Sequence, residues 1–215
     1  MRWLKDLPID TRTDRDAETP TLLEFVRKHK PTTLLDVGAH HTYAFYAPEV
    51  RKIATVYDGI DILPDETTTD LLDNYIVGNA NTHDWQDKKY DMVICVSTLE
   101  HAGLSTYKGD PMAERNTLFR TVLQLSSKHA WVSFPVGQGE VVEAQLETIN
   151  GFGLLVLENI ASVEGFTNKP RFFYSQGPQV GHPWREHGDR NFAFSIPYVD
   201  FIGNQSICVM ELTRG

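Results

Sequence analysis

The sequence predicts a doubly wound α/β sandwich, a mostly parallel seven-stranded sheet with helices on both faces. Segments that read as strands alternate with segments of helical periodicity along the chain, which is the order of a parallel sheet crossed over by helices. The strand segments are continuously apolar rather than alternating, as strands buried on both faces are. No repeat, low-complexity tract or linker divides the 215 residues, so a single domain over 1–215 is expected.

The elements follow in order. Residues 1–16 are polar and irregular. Thr19-Pro20 offers an N-cap with proline at the first helical position, Thr21 and Glu24 offer a second start with capping-box spacing, and Leu22, Leu23, Phe25 and Val26 supply an apolar face, so a helix is predicted over 19–29. Pro31 ends it, and Thr33–Val37 reads as a short buried strand stopping at Gly38. A helix over Tyr43–Arg51, a strand over Ile53–Ile60, a helix over Thr67–Asn74 and a strand over Tyr75–Gly78 come next. Tyr90–Val96 is the clearest strand of the chain. Pro111–Ser126 is amphipathic, with apolar residues at 112, 118, 119, 122, 123 and 125 and Asp110 as its cap. Ala130–Phe134 is a strand, Val141–Ile149 a helix, Leu154–Ile160 a strand, and Ser206–Leu212 the last strand.

Composition excludes several classes. With 41% hydrophobic and 23% charged residues the chain is neither disordered nor fibrous. Its apolar runs fall short of the roughly 18 to 20 residues of a membrane helix, and Met1–Asp6 lacks the apolar core of a signal peptide. Cys95 and Cys208 both lie in apolar runs, as buried free thiols do, and a cytoplasmic location is expected. A net charge of −9 without a Lys/Arg block argues against nucleic acid and anionic lipid as partners.

In doubly wound sheets ligands sit outside the carboxyl ends of the strands, at the switch point, which directs attention to the loops after residues 37, 60, 78 and 96. Those loops belong to the segments Leu34-Leu35-Asp36-Val37-Gly38-Ala39, Tyr57-Asp58-Gly59-Ile60-Asp61-Ile62, Val77-Gly78-Asn79-Ala80 and Tyr90-Asp91-Met92-Val93-Ile94-Cys95-Val96-Ser97-Thr98-Leu99-Glu100-His101. In that order they resemble the class I S-adenosylmethionine-dependent methyltransferases, and are similar to the small bacterial members linked to sugar or surface-polysaccharide modification. Trp131-Val132-Ser133-Phe134-Pro135-Val136-Gly137 is similar to the family's fifth strand and the turn after it. The resemblance spans about residues 30–140. It implies a Rossmann-like methyltransferase fold, S-adenosylmethionine as cofactor, and methyl transfer to a small-molecule acceptor such as a sugar hydroxyl. It implies a cofactor-binding half over 30–140 and final strands with acceptor-side loops over 141–215. The matching positions for the cofactor are Asp36, Gly38, Ala39, His40, Asp61, Ile62, Asn79, Ala80, Ser97 and Thr98.

The residues read by themselves agree. Gly38 lets the backbone approach a ligand closely, though alone it also suits a tight turn. Asp61 follows Asp36 by 25 residues, near the roughly 20-residue offset of a second-strand carboxylate that grips a ribose diol; alone it is also a solvated strand-end carboxylate. Asn79 offers an amide toward adenine where the family more often has Asp. The family's glycine loop would place glycines at 40 and 42, where this chain has His40 and Thr42. Their loss disfavours a dinucleotide and hence a nicotinamide-dependent oxidoreductase, because a pyrophosphate needs closely approaching N–H groups while S-adenosylmethionine brings only a carboxylate and an ammonium. A Cβ at such a position costs about 1 to 3 kcal/mol if φ is positive. His40 and His41 therefore either line the methionine end or weaken binding, the latter being the mark of a non-catalytic binding protein on the same fold.

Glu100 and His101 follow the fourth strand, on the loop that should face the transferred methyl. An acceptor hydroxyl must lose its proton, and His101 is the best-placed general base by type and position. The alternative is that Glu100 and His101 only shape the loop. Tyr107 and Gly109-Asp110-Pro111 are expected to form a lid beside them. The aromatic segment 165–203 either folds over the carboxyl end of the sheet to shape the acceptor pocket or packs between the last two strands. No metal is expected: adjacent His40 and His41 do not converge on one ion in regular structure, and His182, His187 and Asp189 lack a diagnostic spacing.

Overall fold

The computed structural model describes residues 15–40, 46–64, 70–103, 111–137, 149–175, 184–195 and 205–215. In chain order the elements are α1 (Arg15–His29), β1 (Thr33–Val37), α2 (Ala47–Arg51), β2 (Val56–Asp61), β3 (Asn74–Val77), β4 (Tyr90–Val96), a 3-10 turn (Leu99–His101), α3 (Pro111–Leu125), β5 (Ser126–Pro135), α4 (Gly151–Val163), β6 (Phe166–Ser175), β7 (Arg185–His187), α5 (Arg190–Ser195) and β8 (Gln205–Arg214). They form one eight-stranded sheet in the order β3-β2-β1-β4-β5-β8-β6-β7. The pairings among β1 to β5 are parallel, whereas β8 runs antiparallel to both β5 and β6, and β7 antiparallel to β6.

Alternation along the inner strands sends side chains to two cores. Leu35, Val37, Val93, Cys95, Ala130, Val132 and Phe134 pack with Phe119 and Val122 of α3 and Leu154 and Leu157 of α4. Leu34, Met92, Ile94, Val96 and Trp131 pack with Leu22, Phe25 and Val26 of α1 and Val50 of α2. Both faces being covered is why these strands read as continuous apolar runs. Cys95 and Cys208 are buried and free. No helix among the described residues is long and apolar enough to cross a membrane.

β1 and β4 match the sequence expectation residue for residue. Several elements differ. The sheet has eight strands rather than seven, because Phe166–Ser175 and the short edge segment Arg185–His187 are strands while Leu154–Ile160 is not. α1 begins at Arg15 and carries Pro20 inside it, not at its first position. β2 starts at Val56, and residues 70–73 form a turn ahead of β3 instead of closing a helix. The segment 165–203 contains the ten-residue strand β6, with Phe166, Phe172 and Phe173 buried in the cores. Pro170 is tolerated there because β7 pairs only with Phe172–Tyr174, leaving the edge open at the proline. Helix 43–51 is seen as Ala47–Arg51; residues 43–45, 67–69, most of the expected helix 141–149, and the expected lid residues Tyr107, Gly109 and Asp110 lie outside the described residues.

Leu154–Ile160 is not a strand but the middle of helix α4. A short apolar run suits a buried strand or a buried helix equally, and here the ends decide. Asn150 caps the helix by accepting from the Gly153 N–H at 2.9 Å. Leu154, Leu157, Ile160 and Ala161 are buried at helical spacing, whereas Phe152, Leu155 and Val163 are exposed. A strand would put Leu155 and Leu157 on one face; the helix separates them. Leu157→Ala should therefore cost about 2 to 5 kcal/mol in urea unfolding and Leu155→Ala, 57% exposed, less than about 0.5 kcal/mol. Equal costs would contradict the helix.

Candidate active site

At the switch point between β1 and β4 the carboxyl ends of four parallel strands border a cleft of about 340 Å³. β1 ends at Gly38, which has φ +84° and whose missing Cβ would lie 2.1 Å from Thr98 Oγ1. The close approach of the β1 turn to the β4 loop thus requires glycine. The Gly38 N–H donates to the Ile60 carbonyl at 2.9 Å, tying the turn to β2. His40 follows on the cleft wall and is not among the described residues with positive φ, so its Cβ carries no left-handed strain.

Asp61 closes β2. Its Oδ2 accepts from the His40 N–H at 3.1 Å and its Oδ1 from the Leu63 N–H at 2.9 Å. Two backbone donors hold the carboxylate in one orientation, yet each oxygen keeps a further lone pair for a ligand. Ile62 and Leu63, each 42% exposed, extend an apolar ledge beyond it. β3 delivers Asn79 and Ala80; the Asn79 Oδ1 accepts from the Asn81 N–H at 2.9 Å, an Asx turn.

β4 delivers Ser97, Thr98 and His101. Ser97 is left-handed at φ +42°. Its N–H donates to Ser133 and its Oγ donates to Glu18 Oε1 at 2.6 Å. Glu18 has no exposure and pairs with Arg15, which lines the cleft and is its only arginine or lysine among the described residues. From α3, Glu114 and Leu118 complete the wall.

Of the residues singled out from sequence, Gly38, His40, Asp61, Ile62, Asn79, Ala80, Ser97, Thr98 and His101 line this cleft. Asp36, Ala39 and Glu100 do not: all three are buried, and the Asp36 carboxyl is bonded to the Tyr46 and Tyr57 hydroxyls of the core on the α1 and α2 face. Arg15, Leu63, Asn81, Glu114 and Leu118 line it without having been singled out; only the amphipathic pattern of 111–126 could have pointed to the last two. His187 Nδ1 accepts from the Asp189 N–H at 3.0 Å and its ring stacks on Phe192, a local turn; His41, Thr42 and His182 lie outside the described residues.

Asp36 Oδ2 accepts from the hydroxyls of Tyr46 at 2.8 Å and Tyr57 at 3.0 Å, while Oδ1 has no hydrogen-bond partner among the described residues. Burial pushes its carboxyl up to about 7 against the pull of the two phenols. An acid raised in the folded state binds a proton there that the unfolded chain has released, so stability falls as pH rises from about 4, the unfolded value, to about 7. Asp36→Asn should remove this component: the difference in unfolding free energy between wild type and variant should decline between those pH values and level off above. A pH-independent difference would show that Asp36 does not titrate there.

No protein-family model matches the sequence, and no curated protein matches it significantly. Solved structures match the fold at low identity. Magnesium protoporphyrin IX methyltransferase (ChlM) from Synechocystis PCC 6803, with bound S-adenosylmethionine, is 12% identical with a TM-score of 0.59, over 100% of this chain and 85% of that one. The N-methyltransferase NodS from Bradyrhizobium japonicum WM9, in complex with S-adenosylhomocysteine, is 12% identical with a TM-score of 0.58, over 99% and 91%. A SAM-dependent methyltransferase from Archaeoglobus fulgidus is 14% identical with a TM-score of 0.57, over 94% and 95%. With its parallel strands β3-β2-β1-β4-β5 and the antiparallel β8 set between β5 and β6, the chain has the fold of the class I S-adenosylmethionine-dependent methyltransferases.

Proposed function

We propose that the cleft binds S-adenosylmethionine and that the chain transfers its methyl group to a small-molecule acceptor, through a hydroxyl of a sugar or similar metabolite. The observation that carries this reading is the delivery of Gly38, Asp61, Asn79 and His101 by four successive parallel strands to one cleft. The methyltransferase fold of the chain supports it, as does the cofactor bound in structures that share this fold.

The residues present suit the cofactor. Asp61, already oriented by two N–H groups, accepts from the ribose hydroxyls. The Arg15 guanidinium, on the lining of the cleft with Gly38, takes the methionine end, pairing with its carboxylate. Ile62 and Leu63 cover an apolar face of the base. When bound, S-adenosylmethionine supplies a methyl group on a sulfonium whose leaving group is a neutral thioether. The chain's part is therefore mainly positioning, which can supply about 7 to 11 kcal/mol of the barrier. His101, on the 3-10 turn and held by its N–H to the Thr98 carbonyl at 3.1 Å, takes the proton of the acceptor hydroxyl. Glu100, buried behind it, holds that turn rather than touching substrate.

Titration calorimetry with S-adenosylhomocysteine tests the cofactor assignment. Wild type should bind, and Asp61→Ala should lose about 1.5 to 3 kcal/mol, the worth of hydrogen bonds to a charged group. Absence of binding by wild type at millimolar ligand would refute the assignment. After a screen of nucleotide sugars and hydroxylated metabolites has found an acceptor, His101→Ala should lower kcat by about 10²- to 10⁴-fold, remove the acidic limb of the pH–rate profile and leave cofactor affinity unchanged. Full activity with an unaltered profile would remove His101 from the reaction.

A further inference from the structure

We propose that the His29–His129 ring pair makes α1 an acid-releasable strap: the helix lies docked on the sheet while both rings are neutral, and their protonation frees it and draws Arg15 out of the cleft. The release is a property of α1 alone; only its effect on the cofactor rests on the reading that the cleft holds S-adenosylmethionine.

The two rings stand at the end of the sheet away from the cleft, His29 closing α1 and His129 near the start of β5. Their centroids are 3.8 Å apart, and Phe25, one turn back on α1, meets His29 at 4.5 Å and His129 edge-on at 6.0 Å. His29 Nε2 is buried without a hydrogen-bond partner among the described residues, and the Thr213 hydroxyl is 3.3 Å from His129 Nδ1. A neutral imidazole sits there as an aromatic ring does. A protonated one brings a charge whose N–H meets no acceptor.

The charged groups around the pair do not supply one. Lys28 of α1 and Lys128 of β5 have the sign of an imidazolium. Asp91 of β4 is taken by Lys128 at 2.7 Å and by the Thr32 and Thr33 N–H groups. Glu211 of β8 and Glu24 of α1 both face Arg171 of β6, at 2.9 and 3.7 Å, and Arg27 of α1 pairs with Glu49 of α2 at 3.3 Å. Two imidazolium rings in contact would add their mutual repulsion. Burial, then Lys28, accordingly holds His29 below the ordinary imidazole value against the attraction of Glu211. Burial, then His29, Lys128 and Lys28, brings His129 down to about 4 against Asp91. A ring lowered in the docked state favours docking fully above the ordinary value of about 6.5, and progressively less as the pH falls toward about 4.

From the rings to the cleft α1 is one 15-residue helix, with Leu22, Phe25 and Val26 in the core and Glu18 on Ser97 at the far end. No strand pairing has to break for it to leave, as suits a unit that opens locally.

Hydrogen exchange of the ligand-free protein at about pH 7.5 and about pH 5, with rates taken relative to free peptide at each pH, tests the release in wild type and in the double variant His29→Phe/His129→Phe. In wild type the α1 amides should lose about tenfold or more of their protection at the lower pH while β1 and β4 keep theirs. The double variant should show no such loss, since its rings fill the same space and do not titrate. Asp36 titrates with the opposite sign but is common to both proteins, so it cancels in their comparison. Calorimetry should find S-adenosylhomocysteine bound more weakly at the lower pH by wild type than by the double variant. Should the double variant not fold, NMR titration of the wild-type rings decides, and either ring titrating at or above about 6.5 would refute the strap. Unchanged protection of α1, an equal loss in β1 and β4, a loss that persists in the double variant, or an affinity that falls alike in both proteins would each overturn the proposal. A wild type that binds no S-adenosylhomocysteine at either pH would overturn the cofactor assignment, while the exchange data still decide the release.

Discussion

Glu18 is a carboxylate with no solvent exposure, and the geometry of the cleft follows from how it is satisfied. Burying a charge costs several kcal/mol unless its partners are close and well aimed. Glu18 has Arg15 one turn earlier on its own helix and the Ser97 hydroxyl at 2.6 Å, from a position 79 residues later in the chain. This one constraint ties α1, which precedes the sheet, to the loop that leaves β4. It also offsets the cost of holding Ser97 at φ +42°, a conformation worth about 1 to 3 kcal/mol of strain for a non-glycine residue. The left-handed turn at Ser97 sets the course of the next residue, Thr98, against the bare backbone of Gly38. Had either Ser97 or Gly38 a different backbone, the loops after β1 and β4 would not meet, and the cleft would lack its floor.

From that junction the cleft divides into two chemical ends. Near Gly38 stand Arg15 and His40, and the buried carboxyl of Asp36 closes β1 just before it, raised to about 7 by burial. Toward β2 and β3 stand Asp61, Asn79 and Glu114, each with its orientation set by backbone or side-chain donors on the protein itself. Polar groups fixed before a ligand arrives lose little freedom when it binds, which is the physical benefit of turning backbone N–H groups on Asp61 rather than leaving it solvated. His40 fits the same picture. Where the family's loop has glycine, this chain has a side chain on a backbone with no left-handed demand, so the substitution changes the lining of the cleft without straining it.

The antiparallel half of the sheet does different work. β8 runs between β5 and β6 and pairs with each along its length, so the carboxyl-terminal strand is interior to the sheet and not an edge. Its Cys208, Met210 and Leu212 face the α3 and α4 side while Ile207 and Val209 face α1. Arg171 on β6 is clamped by Glu186 of β7 and Glu211 of β8, a cross-strand network that fastens the short edge strand. These contacts extend the sheet beyond β5 and, among the described residues, contribute none to the cleft.

The parallel half of the fold and most of the cleft lining were determined by the sequence alone. Thr33–Val37 and Tyr90–Val96 are mostly apolar, interrupted only by Thr33, Asp36 and Asp91, and end at Gly38 and Ser97, so composition, length and terminator agree with a strand buried on both faces. The strand ends then name Gly38, Asp61, Asn79 and His101 by position, because in a doubly wound sheet every parallel strand presents its carboxyl end to the same side. The last third was decided by tertiary structure. Leu154–Ile160 reads as strand or helix until Asn150 caps it and Leu157 meets the core, and β6 hides its ten residues behind a proline that only an unpaired edge permits. The inward turn of Asp36, and the parts of Arg15, Glu18 and Glu114, were likewise beyond local pattern. A charged residue on a helix is by default a solvated one, and what makes these three otherwise is contact with Ser97, Asn81 and the cleft, partners far off in sequence that only the folded chain brings within hydrogen-bond reach.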